Sequence, residues 1–189
     1  MNDLDHLSFS EARDILPKIK RFHKEYIAPT QQSELACAAS LAHHGFIGSV
    51  SNLCLRDVNL SFVPVAHLAS LASCVTWRVS IRYVSGIDLS PILDSLKCDV
   101  LGISNQSLST EESQALVRAL ETGVGEVVLG DYGDVTLDIE VLAGYSRQGK
   151  CSSVSFHRDT AARYREDLRL WDKISRQKSQ CKLIVHSLS

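Results

Sequence analysis

Residues able to do chemistry are scattered thinly along this chain, and their spacing argues against most of what they invite. Gly123-Val124-Gly125, followed by Gly130, suggests a phosphate-binding turn. A dinucleotide fingerprint, however, needs G-x-G-x-x-G leaving a strand and opening a helix. Here the glycines close a helical pattern and open an extended one, so Gly123 reads as a helix stop. His43 and His44 follow Cys37, but a six-residue spacing puts Cys37 and His43 on different helix faces, and no carboxylate joins them locally. They read as solvated histidines at a helix end. Asp131, Asp134 and Asp138 sit among glycines as in a calcium loop, yet the EF-hand spacing is missing and Glu140 falls too early to close one. A polar loop is the plainer reading. No G-x-S-x-G elbow occurs, and the other Ser, His and Asp residues are too dispersed for a triad. None of the six cysteines forms a C-x-x-C pair, so free thiols are expected and a zinc site has no support. The chemistry therefore predicts no catalytic residues, no metal and no cofactor.

Five other residues carry the functional expectation: Arg56, Arg82, Tyr83, His157 and Arg158. Arg and Tyr anchor protein interfaces more often than most residue types. Each of the five follows a short apolar pair of the form φ-x-φ. These pairs are Leu53-Cys54-Leu55, Val79-Ser80-Ile81, Leu101-Gly102-Ile103, Val127-Val128-Leu129, Val154-Ser155-Phe156 and Leu183-Ile184-Val185. Their starts lie 22 to 29 residues apart, and each alternates as a short strand should. If the pairs stack in chain order, their middle residues form a small floor: Cys54, Ser80, Gly102, Val128, Ser155, Ile184. A flanking column reads Arg56, Arg82, Ser104, Gly130, His157, His186, with Asp57, Tyr83, Asn105, Asp131 and Arg158 beside it. Such a surface suits an acidic or extended partner segment.

Helical patterns follow most pairs and must position them. Val65, Leu68, Leu71 and Ala72 lie between Pro64 and Cys74. Ser90-Pro91 reads as cap and first turn of a helix bearing Ile92, Leu93 and Leu96. Ser109-Thr110-Glu111-Glu112 is a capping box ahead of Ala115, Leu116, Ala119 and Leu120. Ile139, Leu142 and Ala143 suggest a shorter helix, and Thr160 caps a predicted helix over 161–177 with Tyr164, Leu168 and Trp171 inward. Cys74, Cys98 and Cys151 share one helix-to-strand slot, with Gly123 filling it once; small apolar thiols suit such a corner. Residues 1–48 do not repeat. Two helical patterns there, one starting near Ser8-Phe9-Ser10-Glu11 and one near Ser33 to His43, are expected to cover the first strand, as helix 161–177 and strand 182–186 cover the last.

Length and composition fit one soluble domain. The 189 residues are 44% hydrophobic and 22% charged, with a net charge of −2. The balance gives no reason to expect nucleic acid or a membrane. From Arg158 to Lys182 there are eight Lys/Arg against four Asp/Glu, a bias read as a solvated helix face. No apolar run approaches a membrane span, and the polar start is wrong for a secretory signal, so a cytoplasmic location is expected. The sequons at Asn59 and Asn105 are accordingly read as unmodified.

Val50-Ser-Asn-Leu53-Cys-Leu55-Arg-Asp-Val58-Asn-Leu60 matches the template L-x-x-L-x-L-x-x-N/C-x-L at its apolar positions, and Cys98 to Leu108 matches again. Residues 50–189 thus resemble leucine-rich repeats of the ribonuclease-inhibitor class, as in the repeat domains of NOD-like innate immune receptors. The template's Asn/Cys position holds Val58, Val84, Gln106 and Tyr132 instead, so the loop backbone here must be satisfied by other groups. The resemblance implies an α/β solenoid with a parallel sheet, helices on the convex side and a helical N-terminal cap over residues 1–48, the solenoid proper running over 49–189. It implies a non-catalytic module that binds a protein or peptide on its concave face, in innate immune recognition or signalling. Two alternatives remain open: a small α/β enzyme, for which Asp131, His157 and Asp159 would have to converge, and a fragment that self-associates. A doubly wound α/β domain is the alternative fold.

Overall fold

A computed structural model describes residues 32–143, 151–169 and 182–185. The six apolar pairs all lie in strands: β1 (Val50–Asn59), β2 (Val75–Ser85), β3 (Val100–Ser104), β5 (Glu126–Leu129), β7 (Ser153–Phe156) and β8 (Lys182–Val185). They form one six-stranded sheet in the order β1-β2-β3-β5-β7-β8, every neighbouring pair parallel. Two short strands, β4 (Gln106–Ser107) and β6 (Val135–Thr136), pair separately. A doubly wound sheet reverses its strand order at a switch point; this sheet follows chain order from edge to edge.

The register puts like residues side by side. Leu53, Val79, Leu101, Val127, Val154 and Leu183 form one column across the sheet, and Leu55, Ile81, Ile103, Leu129, Phe156 and Val185 a second. Every member of both columns up to Phe156 is at most 2% exposed; on β8, Leu183 is half-buried and Val185 exposed. Such alternation on both neighbours leaves a strand only one register that keeps its apolar side chains dry.

Helices supply the other half of that core. They are α1 (Gln32–His43), α2 (Val65–Ser73), α3 (Ser90–Asp94), α4 (Thr110–Thr122), α5 (Ile139–Ala143) and α6 (Arg158–Arg163), and from α1 to α5 each packs on the next in sequence. Leu68, Leu71, Ile92, Leu93, Ala115, Leu116, Ala119, Leu120 and Leu142 join the strand columns in a single cluster. In α1, Leu35 to Ala42 are all buried, while its ends at Gln32 and His43 are exposed. It ends as expected at Gly45, where Phe46 N–H bonds the Leu41 carbonyl and Gly45 N–H that of Ala42. The expected helix of residues 8–28 and the tract 170–181 lie outside the described residues.

Two expected caps are corrected. Ser90 lies inside α3 rather than capping it, and its buried hydroxyl has no hydrogen-bond partner among the described residues. Asp88 accepts from the Ser90 N–H instead, and Glu112 from that of Leu89. Thr160 lies inside α6, where its hydroxyl accepts the Val135 N–H; the chain turns at Tyr164 and is helical again over 165–169. The Ser109 capping box is present in full.

Side chains of neighbouring units satisfy the loops. Gln106 accepts from the Val84 N–H and donates to the Val84 carbonyl, both at 3.0 Å. The Tyr164 hydroxyl does the same for Leu137, and Ser113 accepts from Asp138 N–H. At the cysteine slot, Cys98 and Cys151 are buried and Cys74 half-buried. Gly123 is obligatory there for lack of space: a Cβ would lie 1.8 Å from the Leu96 carbonyl oxygen.

Candidate functional site

The sheet face opposite the apolar columns opens into a groove of ≈ 500 Å³ across β1, β2 and β3. Its floor is the expected small column: Cys54, Ser80 and Gly102 stand in register. Arg78, Ser80 and Arg82 alternate along β2 and therefore share the open face. Arg56 on β1 is the register partner of Arg82. Three guanidinium groups thus line one groove, joined by Asp131 and Tyr132 from the loop after β5.

Each arginine is held differently. The Arg56 Nε lies 3.0 Å from an Asp57 carboxylate oxygen, with both side chains more than half exposed. Pairs of that kind contribute little net stability. Arg78 reaches across the sheet, its Nη2 being the nearest atom to where a Cβ on Gly102 would stand, at 3.4 Å. It bonds the Ser80 hydroxyl through Nε and pairs with Asp131 at 3.7 Å. Arg82 has no carboxylate partner among the described residues. The rings of Tyr83 and Tyr132 flank it, with centroids 5.3 and 5.9 Å from its guanidinium carbon. Its Nε is buried and has no hydrogen-bond partner among the described residues.

The backbone makes this arrangement. Asp57, Tyr83 and Asn105 have φ of 52, 50 and 47°, at the same station of three consecutive units, within β1 and β2 and just after β3. Simple alternation after Ile81 would point Tyr83 into the core. The left-handed residue shifts the phase instead, so Arg82 and Tyr83 both face outward and Val84 is buried. Tyr132 is brought in by a loop that Gly130 and Gly133 make feasible. Both have positive φ, and a Cβ would lie 2.3 Å from the Thr160 hydroxyl at Gly130 and 2.0 Å from the Asn105 Oδ1 at Gly133. Asn105 donates to the Tyr132 carbonyl at 2.6 Å, and Arg163 pairs with Asp134, tying the loop down on both sides.

Of the five expected residues, Arg56 and Arg82 line the groove, and Tyr83 stands at its rim against Arg82. His157 does not line the groove but lies 3.7 Å from Asp131, which does. Arg158 opens α6, is exposed and is not part of the lining. Arg78 and Tyr132 were not anticipated. A signal for Arg78 existed, since it shares parity with Ser80 and Arg82; none existed for Tyr132, which arrives through a loop.

Elsewhere, His67 joins the His43-His44 pair, its ring stacked 4.3 Å from that of His43. Among the described residues no group of three or more His, Cys, Asp or Glu is placed to hold a metal ion. No described helix is long and apolar enough to cross a membrane.

The chain matches no protein-family model and no curated protein. Its groove is therefore interpreted from its own residues.

Proposed function

We propose that this chain is a non-catalytic protein-binding module, built as a short leucine-rich-repeat-like solenoid, whose open sheet face takes an extended acidic segment of another protein. Support for the architecture is the in-order parallel sheet with its two registered apolar columns, and the helices that follow the strands along one core. Gln106 supports it further: it bonds loop backbone from the template position where the repeat family uses Asn or Cys. Any role in innate immune recognition rests on the family resemblance alone.

The observation that carries the binding reading is the excess of guanidinium over carboxylate in one groove. Arg56, Arg78 and Arg82 line it with Asp131 as the one lining carboxylate; Asp57 pairs with Arg56 from outside the lining, and Arg82 has no counter-charge among the described residues. Two like charges in register on neighbouring strands repel one another. A partner carboxylate offsets that repulsion and gives a guanidinium a bidentate acceptor. The test is titration of a fluorescent Glu-rich decapeptide. Arg82→Glu should weaken binding by about tenfold or more, in the range of interface hot spots. Arg158→Glu, outside the groove, should weaken it less. Equal affinity of Arg82→Glu and the native protein would remove the groove from the account.

One observation favours an enzyme instead: Asp131 and His157 are adjacent beside the groove. Their 3.7 Å separation exceeds hydrogen-bonding range, Asp131 is shared with Arg78, and Asp159 is exposed. The binding reading needs no such pair and uses Asp131 only as the acid that engages Arg78; it is preferred.

A further inference from the structure

Resting on that binding reading, we infer that the groove's principal ligand group is a phosphorylated side chain, carried on the acidic segment and seated between Arg56 and Arg82. The first ground is geometric. Arg56 and Arg82 are register partners on adjacent parallel strands, so their backbones lie about 4.8 Å apart and both side chains rise from the same face. A carboxylate has two oxygens and is satisfied by one guanidinium fork. A phosphate monoester presents three oxygens and close to two negative charges, enough to take two forks at once.

The second ground is the state of the two guanidiniums. Arg82 is held between two tyrosine rings, carries a buried Nε with no partner and faces no carboxylate among the described residues. Arg56 is occupied only by its exposed sequence neighbour Asp57, which a doubly charged ligand displaces at little cost. The third ground is the position of the acid. Asp131 engages Arg78, the arginine four residues before Arg82 along β2. That carboxylate stands in the lining itself and partly neutralises Arg78, whereas Asp57 at the Arg56 end is more than half exposed and outside the lining, which leaves the Arg56–Arg82 end as the seat.

The experiment compares three versions of one extended acidic peptide, with Ser, Glu or phosphoserine at its centre, titrated against the full chain by fluorescence anisotropy. Phosphoserine should bind about tenfold more tightly than Glu, and Glu more tightly than Ser. Arg82→Lys keeps the charge but removes the fork, and should bring phosphoserine down to the level of Glu. Arg56→Lys should do likewise, and thermal melts confirm that each variant is folded. Equal binding of the phosphoserine and Glu peptides overturns this inference while the acidic-segment reading stands. Failure of all three peptides to bind overturns both.

Discussion

At the scale of the residue, this protein uses side chains to close backbone that regular structure leaves open. Gln106 is the clearest case. Its amide meets both the N–H and the carbonyl of Val84, a two-point match that no other uncharged side chain of that length provides. Gln106→Leu should destabilise the fold by about 1–3 kcal/mol, because both backbone groups are left unpaired and part-buried. Gln106→Glu keeps the acceptor but sets a carboxylate against the Val84 carbonyl, and should be no better. Urea unfolding midpoints check both; a loss under about 0.5 kcal/mol for the leucine variant would mean that water satisfies Val84. This role was half legible. The sequence marks the slot as holding Gln where Asn or Cys is expected, but not that a longer amide reaches the preceding loop. Gly123 shows the converse: a stop is evident from sequence, yet its cause is the Leu96 carbonyl, 27 residues back along the neighbouring unit and invisible to local pattern.

At the scale of the element, capping and register decide which surfaces face out. α4 is the best-specified helix: its Ser109–Glu112 box is readable from four letters. The structure adds a second duty, for Glu112 also accepts the Leu89 N–H through Oε1 at 2.8 Å while Oε2 takes that of Ser109. One buried carboxylate thus closes the starts of two successive helices. Glu112→Gln replaces one acceptor by a donor facing a donor, and should cost about 1–3 kcal/mol. Ser109→Ala removes one cap bond and should cost about 1 kcal/mol. Chemical denaturation of the two variants side by side tests the order, and a smaller loss for Glu112→Gln would show that the link to Leu89 is idle. The strands were legible because period-two alternation is local and each φ-x-φ pair names its own inward residues. Phase shifts were not: β2 carries an extra residue against β1 between Val75 and Arg78, and a left-handed Tyr83 later on. Neither leaves a composition signal, since Tyr is an unusual choice at positive φ. The short α3 was misread for a similar reason. Ser-Pro is a good cap-and-first-turn pair, but Asp88 two residues earlier provides the bond.

At the scale of the whole molecule, one core joins helices and sheet, and its buried thiols make stability depend on alkaline pH. Burial raises the Cys37 thiol above its ordinary value of 9.0. Burial likewise raises Cys74, partly opposed by its hydrogen bond with Ser73. A raised folded value means that the unfolded chain loses these protons first. Their contribution is therefore complete below pH about 9 and fades as pH climbs through the folded values. The urea midpoint should fall between pH 8 and pH 10, and the Cys37→Ala, Cys74→Ala double variant should fall less steeply. Identical slopes would show that the two thiols titrate alike in both states. At this scale alternating strand and helix patterns gave the α/β class and the family resemblance implied the parallel sheet, while the groove's charge balance was not legible. It depends on Asp131 and Tyr132, which the loop after β5 delivers from beyond the neighbouring strand.

The sheet's chain-order pairing has an implication for how such a protein changes over time. Each strand finds complementary partners only in its immediate predecessor and successor, at matched stations. Losing or duplicating one complete strand-plus-helix segment therefore leaves two edges that still fit each other. The chain can grow by whole segments beyond α6 while the arginine groove, formed by β1–β3 and the loop after β5, keeps its shape. Shortening stops at α6, because Thr160 and Arg163 hold that loop in place.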